Sequence, residues 1–410
     1  MTDRTLLDGS RYRADPYPLF ATLTSSGTVH AVSFPALDAW LITGHAAARR
    51  ALTDQRLGKD HARANSEFLA KASIMPEPQR SRLQKHLLHR DEPHHTRMRS
   101  LVTDHLSARR SEAHRDAIRA DIDALIDAMP ATADDRPVDL VAAVAEALPM
   151  LALARAIGLP DHLRDRFEPE WRTVVAPVPP GHPRRERFEN NLVELQDYIN
   201  DVVREARDET VLGDIVRAAD AAIITVQERD SMIFQLFAAG QDPVAAQLEL
   251  ALVGVLERPV VLQQLRNHPD LVPSAVEELL RHDSAFNLTT WRFLEADDHI
   301  DGVAVPAGDS VIVALGAANR DPEVFECPHD VRIDRSPNPH LAFGYGRHAC
   351  PAAGLARVEL QEALTALIIR LDGLRPGYDH KDDLDWSSSP ITRAVAALPV
   401  HYSCRRSASA

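Results

Sequence analysis

The chain has 410 residues, 45% of them apolar, and a formal net charge of −14 from 46 basic and 60 acidic side chains. That composition supports a large buried core, and an acidic balance without a basic stripe excludes nucleic acid as the natural partner. Cys327, Cys350 and Cys404 are too few, and odd in number, for a disulfide scaffold, which points to a reducing cytoplasmic setting.

The opening stretch "MTDRTLLDGSRYRADPYPLF" has no apolar leader core. The most apolar segment, "LVAAVAEALPMLALARAIGLP", is interrupted by Glu146, Pro149 and Arg155 within the roughly 20 residues that a membrane span needs. No membrane partner is expected. With no Gly/Ser linker, charge block or repeat, residues 1–410 read as one domain. It divides into a helix-rich part (61–285), a mixed β/loop part (286–351), a C-terminal helix with a β hairpin (352–402), and a disordered tail (403–410).

Along the chain, a helix start at "DPYPLFATLTSSG" is followed by strand-like "TVHAVSF" and "AWLIT". Helical periodicity then takes over. "RSEAHRDAIRADIDALIDAM" sets Ala117, Ile118, Ile122, Leu125, Ile126 and Met129 on one face, and "VELQDYINDVVREA" repeats the pattern. Between them, proline-dense "VVAPVPPGHPRRER" reads as a loop, either a lid or an ordinary surface connection. A long apolar helix, "SMIFQLFAAGQDPVAAQLELALVGVL", holds Gly240 and Pro243 in its middle, at a cost of about 1 and about 3 kcal/mol relative to alanine. "IDGVAVPAGDSVIVALG" reads as two short strands with a turn at "PAGD", and "AAGLARVELQEALTALIIRL" as a final helix. The fold class is mainly α with small β-sheets, and no βαβ alternation calls for a parallel sheet.

The most informative stretch is "HLAFGYGRHACPAAGLARVE". Gly344 and Gly346 permit tight turns just before Cys350. A helix starting after Cys350 brings free N–H groups and a positive dipole end to its sulfur, which favours the thiolate, a metal ligand. Two other readings stand beside this one. A free cysteine is by default a small buried hydrophobe. Alternatively Cys327 with His329, and His348 with Cys350, supply four zinc ligands, though that leaves Phe343, both glycines and the "LARVE" run without a role.

This stretch resembles the haem-binding loop of the cytochromes P-450, of the soluble bacterial type. Phe343, the glycine pair with Gly344, His348 and the helix after Cys350 carry the resemblance, which extends over nearly the whole chain. It implies a triangular helix-rich prism with haem b (iron protoporphyrin IX) between a distal and a proximal helix, and Cys350 as the iron ligand. Two positions bear on the ligand loop: Ala352 stands where the family usually has glycine, and Pro351 follows the cysteine.

The resemblance assigns further residues. Glu278 and Arg281 of "AVEELLR" match the family's buried pair, and Arg335 completes it. His95 and Arg99 in "DEPHHTRMRSLV", together with Arg292 and His348, match its contacts to the haem propionates. "AAGQDP" matches the distal helix, where Ala239, Gly240 and Asp242 follow the family pattern and Pro243 replaces a threonine. That threonine helps deliver protons during oxygen activation, so its absence implies an atypical route. The substrate can supply its own hydroxyl or amine, the protein can run oxidative coupling instead of hydroxylation, or it can act as a peroxide-driven peroxygenase. A non-catalytic haem sensor is the alternative outside enzymes.

Substrate contacts are expected from Leu88, Trp171, Val175, Phe234, Ala238, Phe286, Leu288, Thr289, Thr290 and Ile391. Ordinary core packing is the competing role for each. Ferredoxin and ferredoxin reductase are the implied electron donors, docking on Arg97, Arg109, Arg110 and Arg347 of a monomer.

Overall fold

A computed structural model describes residues 4–35, 37–72, 82–133, 136–168, 171, 178, 181–389 and 391–404. Val175, most of the proline-dense loop and residues 405–410 lie outside the described residues. The final strand, Pro399–Cys404, includes Ser403 and Cys404, so the last strand extends two residues into the stretch expected to be a tail. It pairs antiparallel with Leu371–Pro376, and those main-chain bonds fix both residues.

Helices dominate. Those that build the site are α1 (His94–Thr103), α2 (Ala108–Glu112), α3 (Arg115–Asp127), α4 (Leu148–Ile157), α5 (Val226–Leu256), α6 (Val272–His282) and α7 (Ala353–Arg370). The apolar periodicity around residues 108–129 belongs to two helices, α2 and α3. Ile118, Ile122 and Ile126 are the fully buried row of α3, while Ala117, Leu125 and Met129 are half-buried beside it.

The main sheet has six strands: β1 (Thr5–Leu6), β2 (Val29–Ser33), β3 (Asp38–Ile42), β4 (Leu57–Gly58), β5 (Arg292–Leu294) and β6 (Ser310–Val313), in spatial order β1-β2-β3-β6-β5-β4. β3 and β6 are parallel, with Trp40 opposite Val311 and Ile42 opposite Val313. The strands flanking "PAGD" do not pair with each other. Val303–Val305 folds back on Asp298–Ile300, whereas β6 enters the main sheet. The turn is pinned at that sheet's edge: Gly308 N–H donates to Leu294 O (2.9 Å) and Asn65 N–H donates to Gly308 O (2.9 Å).

α5 is the central helix. Its N-terminus carries a capping box: Thr225 Oγ1 accepts from Glu228 N–H (3.1 Å) and Glu228 Oε2 accepts from Thr225 N–H (2.8 Å). The helix continues through Pro243. Gly240 has a packing reason. A Cβ there would sit 2.7 and 2.9 Å from the two methyls of Leu153 on α4, so a larger residue would require the Leu153 side chain to shift. Gln241 seals the same contact by donating to Met150 Sδ at 3.7 Å. The glycine therefore lies at the α4–α5 interface.

Candidate functional site

The loop before α7 is shaped by its glycines. Gly344 and Gly346 have φ of +72° and +76°, and a Cβ on Gly346 would lie 2.9 Å from the Leu52 carbonyl oxygen. Cys350 N–H closes the loop on Phe343 O at 2.8 Å. The Phe343 ring is covered by Arg357, 4.6 Å from its centroid. Arg357 is held by Glu277 at 2.7 and 2.8 Å, and Glu277 also contacts His340 at 3.0 Å.

Cys350 is exposed, yet the surrounding protein pushes its thiol pKa up. A side chain with both properties lines a recess. The helix-end effect is present, because the Ala352 N–H and the charges of Arg99 and Arg357 favour the anion. Burial outweighs them, contrary to the expectation that the helix start alone would lower the thiol pKa. A coordinated metal ion can supply the missing driving force, since it deprotonates a thiol outright.

Upstream, the Glu278 carboxylate and the Arg281 guanidinium form a two-pronged pair, 2.7 and 2.8 Å, with both side chains fully buried. Arg335 Nε adds contacts to Glu278 at 3.0 and 3.1 Å. Arg281 also donates to the carbonyls of Asn319, Pro328 and Asp330 (2.8–2.9 Å), so it organises the irregular chain leading toward Cys350.

Around this recess the structure gathers polar groups that lack partners. His95 is buried, with neither ring nitrogen in hydrogen-bond range; its nearest carboxylate oxygen, on Glu92, is 3.7 Å away. His348 lies against it at a ring spacing of 4.2 Å, with Nδ1 unpartnered, and burial pushes its pKa down to about 2. Arg292 is buried, with Nε unpartnered and its pKa pushed down to about 10 by burial. Arg99 reaches the Ala349 carbonyl at 2.6 Å, one residue before the cysteine. Buried donors without acceptors are costly. This set suits an anionic group with several oxygens, so the residues present fit haem carboxylates beside a thiolate ligand. Among the described residues no three His, Cys, Asp or Glu side chains gather as a metal site, so the four-ligand zinc reading finds no centre.

On α5 the open face is the one turned away from α4. Ala239 is exposed and Ala238, Asp242 and Pro243 are half-buried, between buried stretches on either side. Pro243 has no N–H for the Ala239 carbonyl. Two carboxyls that the sequence reading missed are also buried. Glu249 on α5 accepts from Val395 N–H (3.0 Å), and burial pushes its pKa up to about 7. Glu359 on α7 has Oε2 without a partner, and burial pushes its pKa well up. No motif marks them; a charged residue on an otherwise apolar helix face is the only sequence signal.

The expected substrate contacts divide. Leu88, Ala238, Phe286 and Ile391 are half-buried. Leu288 is 0% exposed in the core beside the sheet, the packing role that competes with substrate contact. Thr289 uses its hydroxyl to accept from Val313 N–H (3.0 Å), a sheet-edge bond. Trp171 and Phe234 are core residues, and Trp171 stacks with Tyr198 (5.0 Å) and Phe167 (5.5 Å). Thr290 contacts the buried Lys59 ammonium.

A family model described as "Cytochrome P450" matches residues 42–392. The chain is 33% identical over 404 residues to the cytochrome P450 monooxygenase PikC of Streptomyces venezuelae, covering 96% of this chain and 92% of that enzyme. It superposes with a TM-score of 0.89, at 31% identity, on the myxobacterial cytochrome P450 CYP267B1 in complex with myristic acid, covering 97% and 98% of the two chains. The cytochrome P450 enzyme CxnD, for C–S bond formation in chuangxinmycin biosynthesis, gives a TM-score of 0.86 at 27% identity, covering 99% of each chain.

Glu249 carries a pH dependence with a definite sign. Its folded pKa (about 7) lies above its ordinary 4.5, so between these values only the folded state holds the proton. Stability is full below about pH 4.5 and falls as pH rises through 7. Glu249→Gln keeps an acceptor for Val395 and should lose less stability between about pH 5 and pH 8 than the parent, by roughly 3 kcal/mol. Unfolding curves at the two pH values check this; equal losses would refute it.

Proposed function

The chain belongs to the cytochrome P450 family, and from that premise we propose that it is a haem-thiolate oxidoreductase of specialised metabolism that hydroxylates or oxidatively couples a small organic substrate. When bound, haem b supplies reductive dioxygen activation, with an anionic sulfur ligand pushing electron density toward iron. The observation that carries the reading is the accessible Cys350 thiol beside His95, His348 and Arg292, whose buried nitrogens have no partners. In this reading Cys350 binds the iron, and His95, Arg99, Arg292 and His348 hold the two carboxylates. Phe343, clamped under Arg357, holds the start of the loop that carries the cysteine.

On the half-buried stretch of α5, Asp242 is the carboxyl proposed to move protons, and Pro243 contributes no hydroxyl. The free Ala239 carbonyl offers a water or a substrate hydroxyl or amine an acceptor, which takes the place of the absent threonine. Coupling is favoured as a second outcome by Pro243 together with the likeness to CxnD, whose reaction forms a C–S bond.

Electrons come from a separate donor, proposed as a small acidic ferredoxin with its reductase. Arg109 and Arg110 are exposed on α2, which approaches the start of α7 so closely that a Cβ on Gly354 would lie 2.9 Å from Ala108 Cα. Arg347 is exposed in the cysteine loop. Arg97 does not join this patch: it is half-buried and reaches Glu228 at 3.4 Å, tying α1 to the start of α5.

Three outcomes test the reading. The reduced, carbon-monoxide-treated protein should show a strongly red-shifted Soret band that Cys350→Ser abolishes; a band unaffected by that change would overturn thiolate ligation. Pro243→Thr should change the fraction of reducing equivalents that reach product, and an unchanged fraction removes the special role of the proline. Reversing the charges of Arg109 and Arg110 should slow reduction by about tenfold while substrate affinity stays constant. Stopped-flow reduction and binding titrations separate the two.

A further inference from the structure

A second group of buried polar side chains lies beside the haem-carboxylate set. Lys59 follows β4, and its side chain is buried, 2% exposed. Its ammonium contacts Thr290 Oγ1 and has no carboxylate within ion-pair range among the described residues. The neighbouring acids are committed elsewhere. Asp91 accepts from the main-chain N–H of Lys59 (2.8 Å) and pairs with Arg63 (3.1 Å), while Asp60 pairs with Arg90 (3.0 Å). Burial, with Arg292 nearby, pushes the Lys59 ammonium well below its ordinary range.

Three imidazoles pack on one another within electrostatic range of this lysine. His61 and His89 are 4.1 Å apart and His86 and His89 are 4.4 Å apart, ring centre to ring centre. His61 Nε2, His86 Nδ1 and His89 Nδ1 are buried without hydrogen-bond partners. The Lys59 charge acts on all three rings, and burial keeps them neutral by pushing each pKa down. Stacked rings beside an ammonium do not gather as a cation site, in keeping with the absence of a three-ligand cluster among the described residues. One cation, a hydroxyl and several neutral N–H donors match a single negative charge shared by two oxygens.

We infer that Lys59, Thr290 and the stacked His61, His86 and His89 form a carboxylate-binding subsite. The carboxylate has two sources: an acid group on the substrate, or one of the haem carboxylates, because Lys59 also lies within electrostatic range of His348. The second source rests on the haem reading above; the first does not.

The test uses the full chain, with decanoate and decanamide as probes and Lys59→Met as the variant. Should the acid come from the substrate, decanoate binds the parent about tenfold tighter than decanamide, and the variant loses that preference. The shift in melting temperature reads this with or without haem, and the Soret shift reads it in the holoprotein. Should the haem supply the carboxylate, the two probes bind alike and haem passes to apomyoglobin about tenfold faster from the variant. Equal probe binding together with an unchanged transfer rate overturns the subsite. If Lys59→Met fails to fold, His86→Phe and Thr290→Val give the same readouts. A missing red-shifted carbon-monoxide band would refute the haem-thiolate reading while leaving the melting experiment intact.

Discussion

The cysteine loop inherits its position from one buried carboxylate. Glu278 takes two prongs from Arg281, one nitrogen from Arg335 and the main-chain N–H of Arg332 at 2.8 Å. Residues 319–345, which lead into the loop, form no helix or strand, so their carbonyls need partners that a helix or sheet would otherwise provide. Arg281 provides three of them. Buried ion pairs add little net stability, but removing one partner strands the other, at about 3–5 kcal/mol. The cluster therefore acts as a specification of geometry: an irregular segment is held in one path because any other path leaves a buried charge unpaired.

That path delivers a thiol to a place where it is not spontaneously an anion. The Ala352 N–H, Arg99 and Arg357 favour the thiolate, and burial outweighs them. In the proposed reading, coordination would be the event that makes the anion. The residues nearby carry the complementary deficit, donors and cations without acceptors. His95, His348 and Arg292 have buried nitrogens without partners, so in the proposed reading one anionic, metal-bearing group would resolve both halves of the mismatch.

Much of this was legible in the sequence where the signal was local. The cysteine loop, the Glu278–Arg281 spacing and the apolar row of α3 are each set by residues a few positions apart. Contacts with distant neighbours are not legible in this way. Gly240 reads as part of the distal-helix pattern, and only the fold shows that it also faces Leu153 on another helix. Thr289 reads as a pocket hydroxyl, yet Val313 N–H claims it. "PAGD" reads as a turn between two strands, and it is, but the strands join different sheets. Lys59 has no sequence signal, because a single lysine carries no pattern and its contact, Thr290, is 231 positions away.

The unpartnered groups also bear on how the protein folds. Lys59, His86, His95 and Arg292 are all buried, and each lacks an acceptor somewhere on its side chain or, for Lys59, a counter-charge. Every such group lowers the stability of the empty fold, since burying a charge or donor unsatisfied costs more than leaving it in water. A ligand that meets these donors binds only the folded state, so its binding free energy adds directly to stability. A bound anion would therefore stabilise the fold to a degree set by its concentration and affinity. A purely apolar cavity would have made the empty protein more stable, but it would have offered nothing to orient an anionic guest.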